Sequence, residues 1–97
     1  MTRVAAVQMT SSASRELNLA EAGHLLREAR ERGARVAALP ENFAFMGVIE
    51  EDKFAIAEDD GAGPIQVWLA AQARELGMWI VGGTIPLRVL TYQAIID

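Results

Sequence analysis

Three short apolar runs, separated by two stretches with helical periodicity, predict an α/β fold in the order βαβ-αβ. The runs, residues 4–9, 35–39 and 78–85, are nearly continuous in apolar character, as strands covered on both faces are. The helical stretches between them are long enough to serve as crossovers, so the strands should be mostly parallel and the crossovers right-handed.

The first strand is Val4-Ala5-Ala6-Val7-Gln8-Met9. Thr10-Ser11-Ser12-Ala13-Ser14 reads as a loop of small polar residues, in which Ser12 or Ser14 offers a hydroxyl to cap the next helix. That helix is expected over residues 15–32, with Leu17, Ala20, Leu25, Leu26 and Ala29 turned inward and Arg27, Glu28, Arg30 and Glu31 in water. Gly33 is placed to end it in a left-handed turn. Arg35-Val36-Ala37-Ala38-Leu39 forms the second strand, closed by Pro40.

Residues 41–63 are the least regular. They hold Phe43, Phe45 and Met46, a short helix expected near 52–57, and two acidic clusters, Glu50-Glu51-Asp52 and Glu58-Asp59-Asp60. The clusters lack the alternating ligand spacing of a calcium loop and read as a solvated surface. Gly61-Ala62-Gly63 is a poor match to a dinucleotide fingerprint, because it follows no strand directly and Gln66 stands where the third glycine belongs. Pro64 suits a first helical position, and the helix over 65–76 should turn Val67, Trp68, Ala71 and Leu76 inward before Gly77 stops it. In the third strand, Met78-Trp79-Ile80-Val81-Gly82-Gly83-Thr84-Ile85, the glycine pair marks a bulge or a close backbone approach. Pro86 closes the strand, and residues 92–96 are again strand-like.

Composition narrows the chemistry. The 97 residues carry a net charge of -4, which disfavours nucleic acid as the main partner. With Cys 0 and His 1, the chain supplies no disulfide, thiolate zinc site, cysteine nucleophile or multi-histidine metal site. There is no apolar run of membrane-spanning length and no secretory leader at the start, so the expected location is the cytoplasm. The lone His24 reads as a helix boundary residue. Trp68 and Trp79 read as core, and Ser11, Ser12 and Ser14 as loop and cap.

One position stands out. Glu41 follows Pro40 at the carboxyl end of a parallel strand, where α/β folds gather their ligands and catalytic groups. Proline keeps Leu39 extended and stiffens the exit. Flanked by Leu39 and Phe43, the carboxylate is expected to be desolvated, a setting that suits a general base. The layout also leaves a packing deficit: two helices on one side cover one face of an apolar sheet, and something else must cover the other.

Val7-Gln8-Met9, then Leu39-Pro40-Glu41-Asn42-Phe43, then Trp79-Ile80-Val81-Gly82-Gly83-Thr84-Ile85-Pro86 resemble, in order and spacing, the amino-terminal part of the nitrilase superfamily, the carbon–nitrogen hydrolases. The resemblance covers about residues 3–87. Asn42-Phe43-Ala44-Phe45-Met46-Gly47 looks most like the deaminated-glutathione amidase and omega-amidase branch. The resemblance implies a partial α-β-β-α sandwich, in which a second sheet fills the packing deficit. It also implies Glu-Lys-Cys catalysis without metal or organic cofactor: the cysteine attacks an amide or nitrile carbon, the glutamate acts as base, and the lysine helps position and stabilise the tetrahedral intermediate.

Of these three groups only the glutamate carries over, onto Glu41. Lys53, the single lysine, lies in the acidic loop and matches nothing in the family's lysine segment, and there is no cysteine. Residues 1–97 therefore read as an incomplete carbon–nitrogen hydrolase domain, inactive alone, which in complete form would take a small-molecule amide. Residues 88–97 read as a divergent tail, either a strand reached by a short connection or unrelated sequence. An alternative from another class is a non-catalytic α/β interaction module that pairs with itself or with a full-length relative through the uncovered sheet. A nucleotide-binding domain fits poorly, because no phosphate-cradling loop follows the first or second strand.

Overall fold

A computed structural model describes residues 2–47, 56–59 and 61–88. The elements run β1 (Val4–Ala6), α1 (Arg15–Glu31), β2 (Val36–Ala38), β3 (Glu58–Asp59), α2 (Pro64–Leu76), β4 (Trp79–Val81) and β5 (Leu87–Arg88). This is the expected α/β arrangement, with β1, β2 and β4 forming a parallel sheet in that order. The sequence reading missed the small parallel pair of β3 and β5, which joins Glu58 to Leu87. Lys53, the Glu50-Glu51-Asp52 cluster, Asp60 and the strand expected at 92–96 lie outside the described residues.

The three-stranded register explains which side chains are covered. Ala5, Ala37 and Ile80 share one row and face the helices, and Ala37 is fully buried. The rows on either side, Val4-Val36-Trp79 and Ala6-Ala38-Val81, point to the opposite face because side chains alternate along a strand. Nothing among the described residues covers that face. Val4 is 65% exposed, Trp79 79% and Val81 57%. Trp79 is thus not the core residue its apolar run implied; the strands are apolar on both faces but packed on one.

Both helices begin and end as the sequence directs. The Ser14 hydroxyl accepts the Leu17 N–H at the start of α1, and Pro64 opens α2. Gly33 and Gly77 both take positive φ just past the helix ends. Arginines finish the termini: Arg30 Nε donates to the last α2 carbonyl, Leu76 O, at 2.8 Å, and Arg3 donates to Arg32 O. The buried face of α1 is Asn18, Ala22, Gly23, Leu26 and Ala29. Leu17 and Ala20, expected inward, are exposed, because the inward stripe runs one position further along and includes an asparagine. On α2 the inward residues are Ile65, Trp68, Leu69 and Leu76, whereas Val67 is exposed. Gly23 lets Trp68 lie close against α1, and Trp68 in turn packs on Phe43 with ring centroids 6.1 Å apart.

Candidate active site

The carboxyl ends of the three strands come together in one place. The ladder closes with Val7 N–H donating to Ala38 O and Leu39 N–H to Val81 O, both at 2.9 Å. Beyond it, Pro40 carries the chain to Glu41, which forms a parallel bridge with Thr84 on the extension of β4. The backbone then turns sharply. Asn42 adopts φ 55, a left-handed conformation uncommon for a residue with a side chain. Its N–H donates to Thr84 Oγ1 at 3.1 Å, and its carbonyl accepts Phe45 N–H at 3.3 Å. Gly83 makes the neighbouring bend possible. It sits at φ 61, and a Cβ there would stand 2.9 Å from Leu39 O and closer still to the Pro40 carbonyl. The close approach expected of the glycine pair is therefore present, and it lies directly beside the Glu41 exit.

The rest of the loop is fixed by groups from elsewhere. Phe43 is fully buried. Its carbonyl accepts Ser11 Oγ–H at 2.9 Å, and Met46 N–H donates to Ser12 O at 2.8 Å. The buried Asn18 amide donates to Ser12 O and Ala44 O, both at 2.8 Å, while its oxygen accepts Ser12 N–H at 2.9 Å and Ser12 Oγ–H at 3.3 Å. One side chain thus joins the loop after β1, the loop after β2 and the first turn of α1. Glu41 itself is exposed, not desolvated as expected, since no described residue closes over it. What the site offers is a carboxylate on a backbone fixed at both sides, able to accept a proton from a group brought opposite it.

The other sequence candidates separate from this place. His24 is exposed on α1, beside Arg27, Glu28 and Glu31. Ser11, Ser12 and Ser14 serve as loop ties and cap. Glu58, read as a solvated acid, is 3% exposed. Its carboxylate accepts Ile65 N–H at 2.6 Å and Gln66 N–H at 3.1 Å, satisfying amides that the first turn of α2 leaves open. Among the described residues, no three His, Asp or Glu side chains gather as a metal site, and no helix is long and apolar enough to cross a membrane.

Sequence reasoning missed Asn18, Glu58 and Thr84. Asn18 was findable as the polar member of the stripe completed by Ala22, Leu26 and Ala29 at helical spacing. Glu58 precedes Gly63-Pro64, a helix start that lacks a side-chain cap of its own. Thr84 carried no separable signal, since its role depends on which residue the strand register brings beside it.

A parallel sheet backed by two helices defines an α/β fold, and comparison with known families agrees with it. The carbon-nitrogen hydrolase family profile matches residues 3–97, and the chain belongs to that family. It is similar to a nitrilase of Pyrococcus abyssi (strain GE5 / Orsay), 34% identical over 87 residues, covering 87% of this chain and 33% of the relative. It is also similar to two proteins of Bos taurus. Deaminated glutathione amidase is 35% identical over 81 residues, 82% of this chain and 24% of that protein. Omega-amidase NIT2 is 32% identical over 84 residues, 87% of this chain and 30% of that protein. The chain spans from 24% to 33% of the length of these curated relatives.

Proposed function

We propose that this chain supplies the amino-terminal part of a cofactor-free amidase that converts a small carboxamide to a carboxylate and ammonia, with Glu41 as general base. The observation that carries this reading is the placement of Glu41 at the carboxyl end of β2, bridged to Thr84. The lysine and the cysteine nucleophile would come from sequence other than these residues, since Lys53 fits neither part and the chain has Cys 0. A cytoplasmic setting goes with this mechanism, because there a thiol nucleophile stays reduced. The 97-residue chain alone is expected to be inactive, as loss of a nucleophile removes orders of magnitude in rate.

Two measurements test the reading. Assays of the purified chain on small amides should give no saturable turnover; turnover that Glu41→Gln abolishes would overturn the inactivity. Sequencing the source DNA past the Asp97 codon should reveal lysine-bearing and cysteine-bearing strand exits. In the product so encoded, Glu41→Gln should lower kcat/KM at least about 100-fold. Unchanged turnover would remove Glu41 from catalysis.

The open sheet face favours a second reading, a non-catalytic module that pairs with itself or with a full-length relative. The exposed Val4, Trp79 and Val81 support it. Light scattering bears on it: a stable monomer at high concentration counts against it.

A further inference from the structure

We propose that Thr84 is a positioning residue for Glu41, an inference that rests on reading Glu41 as the base. Two left-handed residues on adjacent segments flank the Glu41–Thr84 bridge: Asn42 at φ 55 just after Glu41, and Gly83 at φ 61 just before Thr84. Glycine takes that conformation without strain, and asparagine takes it at a modest cost that a local hydrogen bond can offset. Two hydrogen bonds meet at Asn42: Phe45 N–H donates to its carbonyl within the turn, and its own N–H donates across to Thr84 Oγ1 at 3.1 Å, which ties the turn to the neighbouring strand exit.

Up to Leu39 the described amides at this end of the ladder donate to backbone carbonyls of the next strand, as Leu39 does to Val81 O. At Asn42 a side-chain hydroxyl takes over as acceptor. Thr84 is β-branched, so few rotamers are open to it and its hydroxyl is presented at a defined place. It is also exposed and belongs to no part of the buried core, so its contribution is local to the turn. The turn conformation fixes the direction in which the chain leaves Glu41, and with it the backbone from which the carboxylate projects. A general base acts through geometry before it acts through acidity.

The test is amide hydrogen exchange and Cα and Cβ chemical shifts on the ¹⁵N,¹³C-labelled 97-residue chain. Thr84→Val replaces the hydroxyl by a methyl of similar size, and Thr84→Ser keeps it. In Thr84→Val, Asn42 N–H should exchange at least about tenfold faster. The Asn42 shifts should leave left-handed values, and the Glu41 shifts should move with them. Leu39 N–H and Ile65 N–H, whose bonds lie elsewhere, should keep their protection. Thr84→Ser should restore Asn42 and Glu41 together. Unaltered Asn42 exchange in Thr84→Val would overturn the proposal. So would equal acceleration in Thr84→Ser, or loss of protection at Leu39 and Ile65, which would mark a general structural role. None of these readouts involves turnover. If Glu41 proves not to be the base, the kinetic assay of the Glu41→Gln longer product reports that separately.

Discussion

The Asn18 side-chain amide donates to the Ala44 carbonyl at 2.8 Å, tying the first turn of α1 to the loop that leaves β2. The same side chain makes three further hydrogen bonds to Ser12, so all its donors and both lone-pair directions of its oxygen are used inside the protein. A buried amide this fully satisfied is sensitive to replacement, because it would leave the carbonyl of the buried Ala44 without its partner.

Asn18→Leu is therefore expected to lower stability by about 2–3 kcal/mol, although leucine suits the surrounding stripe in size and polarity. Urea unfolding followed by circular dichroism measures this. A loss under about 0.5 kcal/mol would mean that the loops find other partners.

Glu58→Gln should be milder and confined to one end of α2. The amide keeps one acceptor for the Ile65 and Gln66 N–H groups but brings a donor against the other and removes the charge from the helix start. The expected cost is about 1–2 kcal/mol, with faster exchange at Ile65 and Gln66 and no change at Leu39. Uniform acceleration across the chain would contradict a local capping role.

Gly83→Ala and Gly77→Ala separate steric exclusion from backbone conformation. Both glycines have positive φ, but a Cβ at Gly77 meets nothing within 4 Å, whereas at Gly83 it runs into the Pro40 and Leu39 carbonyls. Gly77→Ala should cost about 1 kcal/mol. Gly83→Ala should cost more than about 2 kcal/mol and should disturb the Glu41–Thr84 bridge. Equal melting temperatures for the two variants would show that the strand exits part easily.

The open face should make the isolated chain associate. Apparent mass in light scattering is expected to rise with concentration, and Val81→Lys should suppress the rise without unfolding the chain, since Val81 is already 57% exposed. Association that persists in Val81→Lys would place the contact on another surface.

Much of this arrangement was legible in the sequence because it follows from local chemistry. Pro64, Gly77, Gly33 and Ser14 mark the helix limits through effects that act within a few residues. The place of Glu41 beyond the end of β2 was legible for a similar reason, because Pro40 marks the strand exit. What escaped depends on distant neighbours. Glu58 looks like one acid in a surface cluster until β3 and β5 pair and bring it under the start of α2. Trp79 has the sequence surroundings of a core residue, and only the register shows that its row faces away from both helices. The expected desolvation of Glu41 came from its apolar sequence neighbours, yet Phe43 turns inward to Trp68 and leaves the carboxylate exposed.

The contrast between the two tryptophans gives the molecule an intrinsic optical gauge. Trp68 is half-buried against Phe43, while Trp79 stands in solvent on the opposite side of the sheet. The first indole's fluorescence follows the integrity of the helix-backed core. The second's is quenchable by iodide for as long as its surface is bare, and becomes shielded once a strand, a second sheet or another copy lies across it. Any molecule laid across this face can thus be followed as it docks without attaching a label.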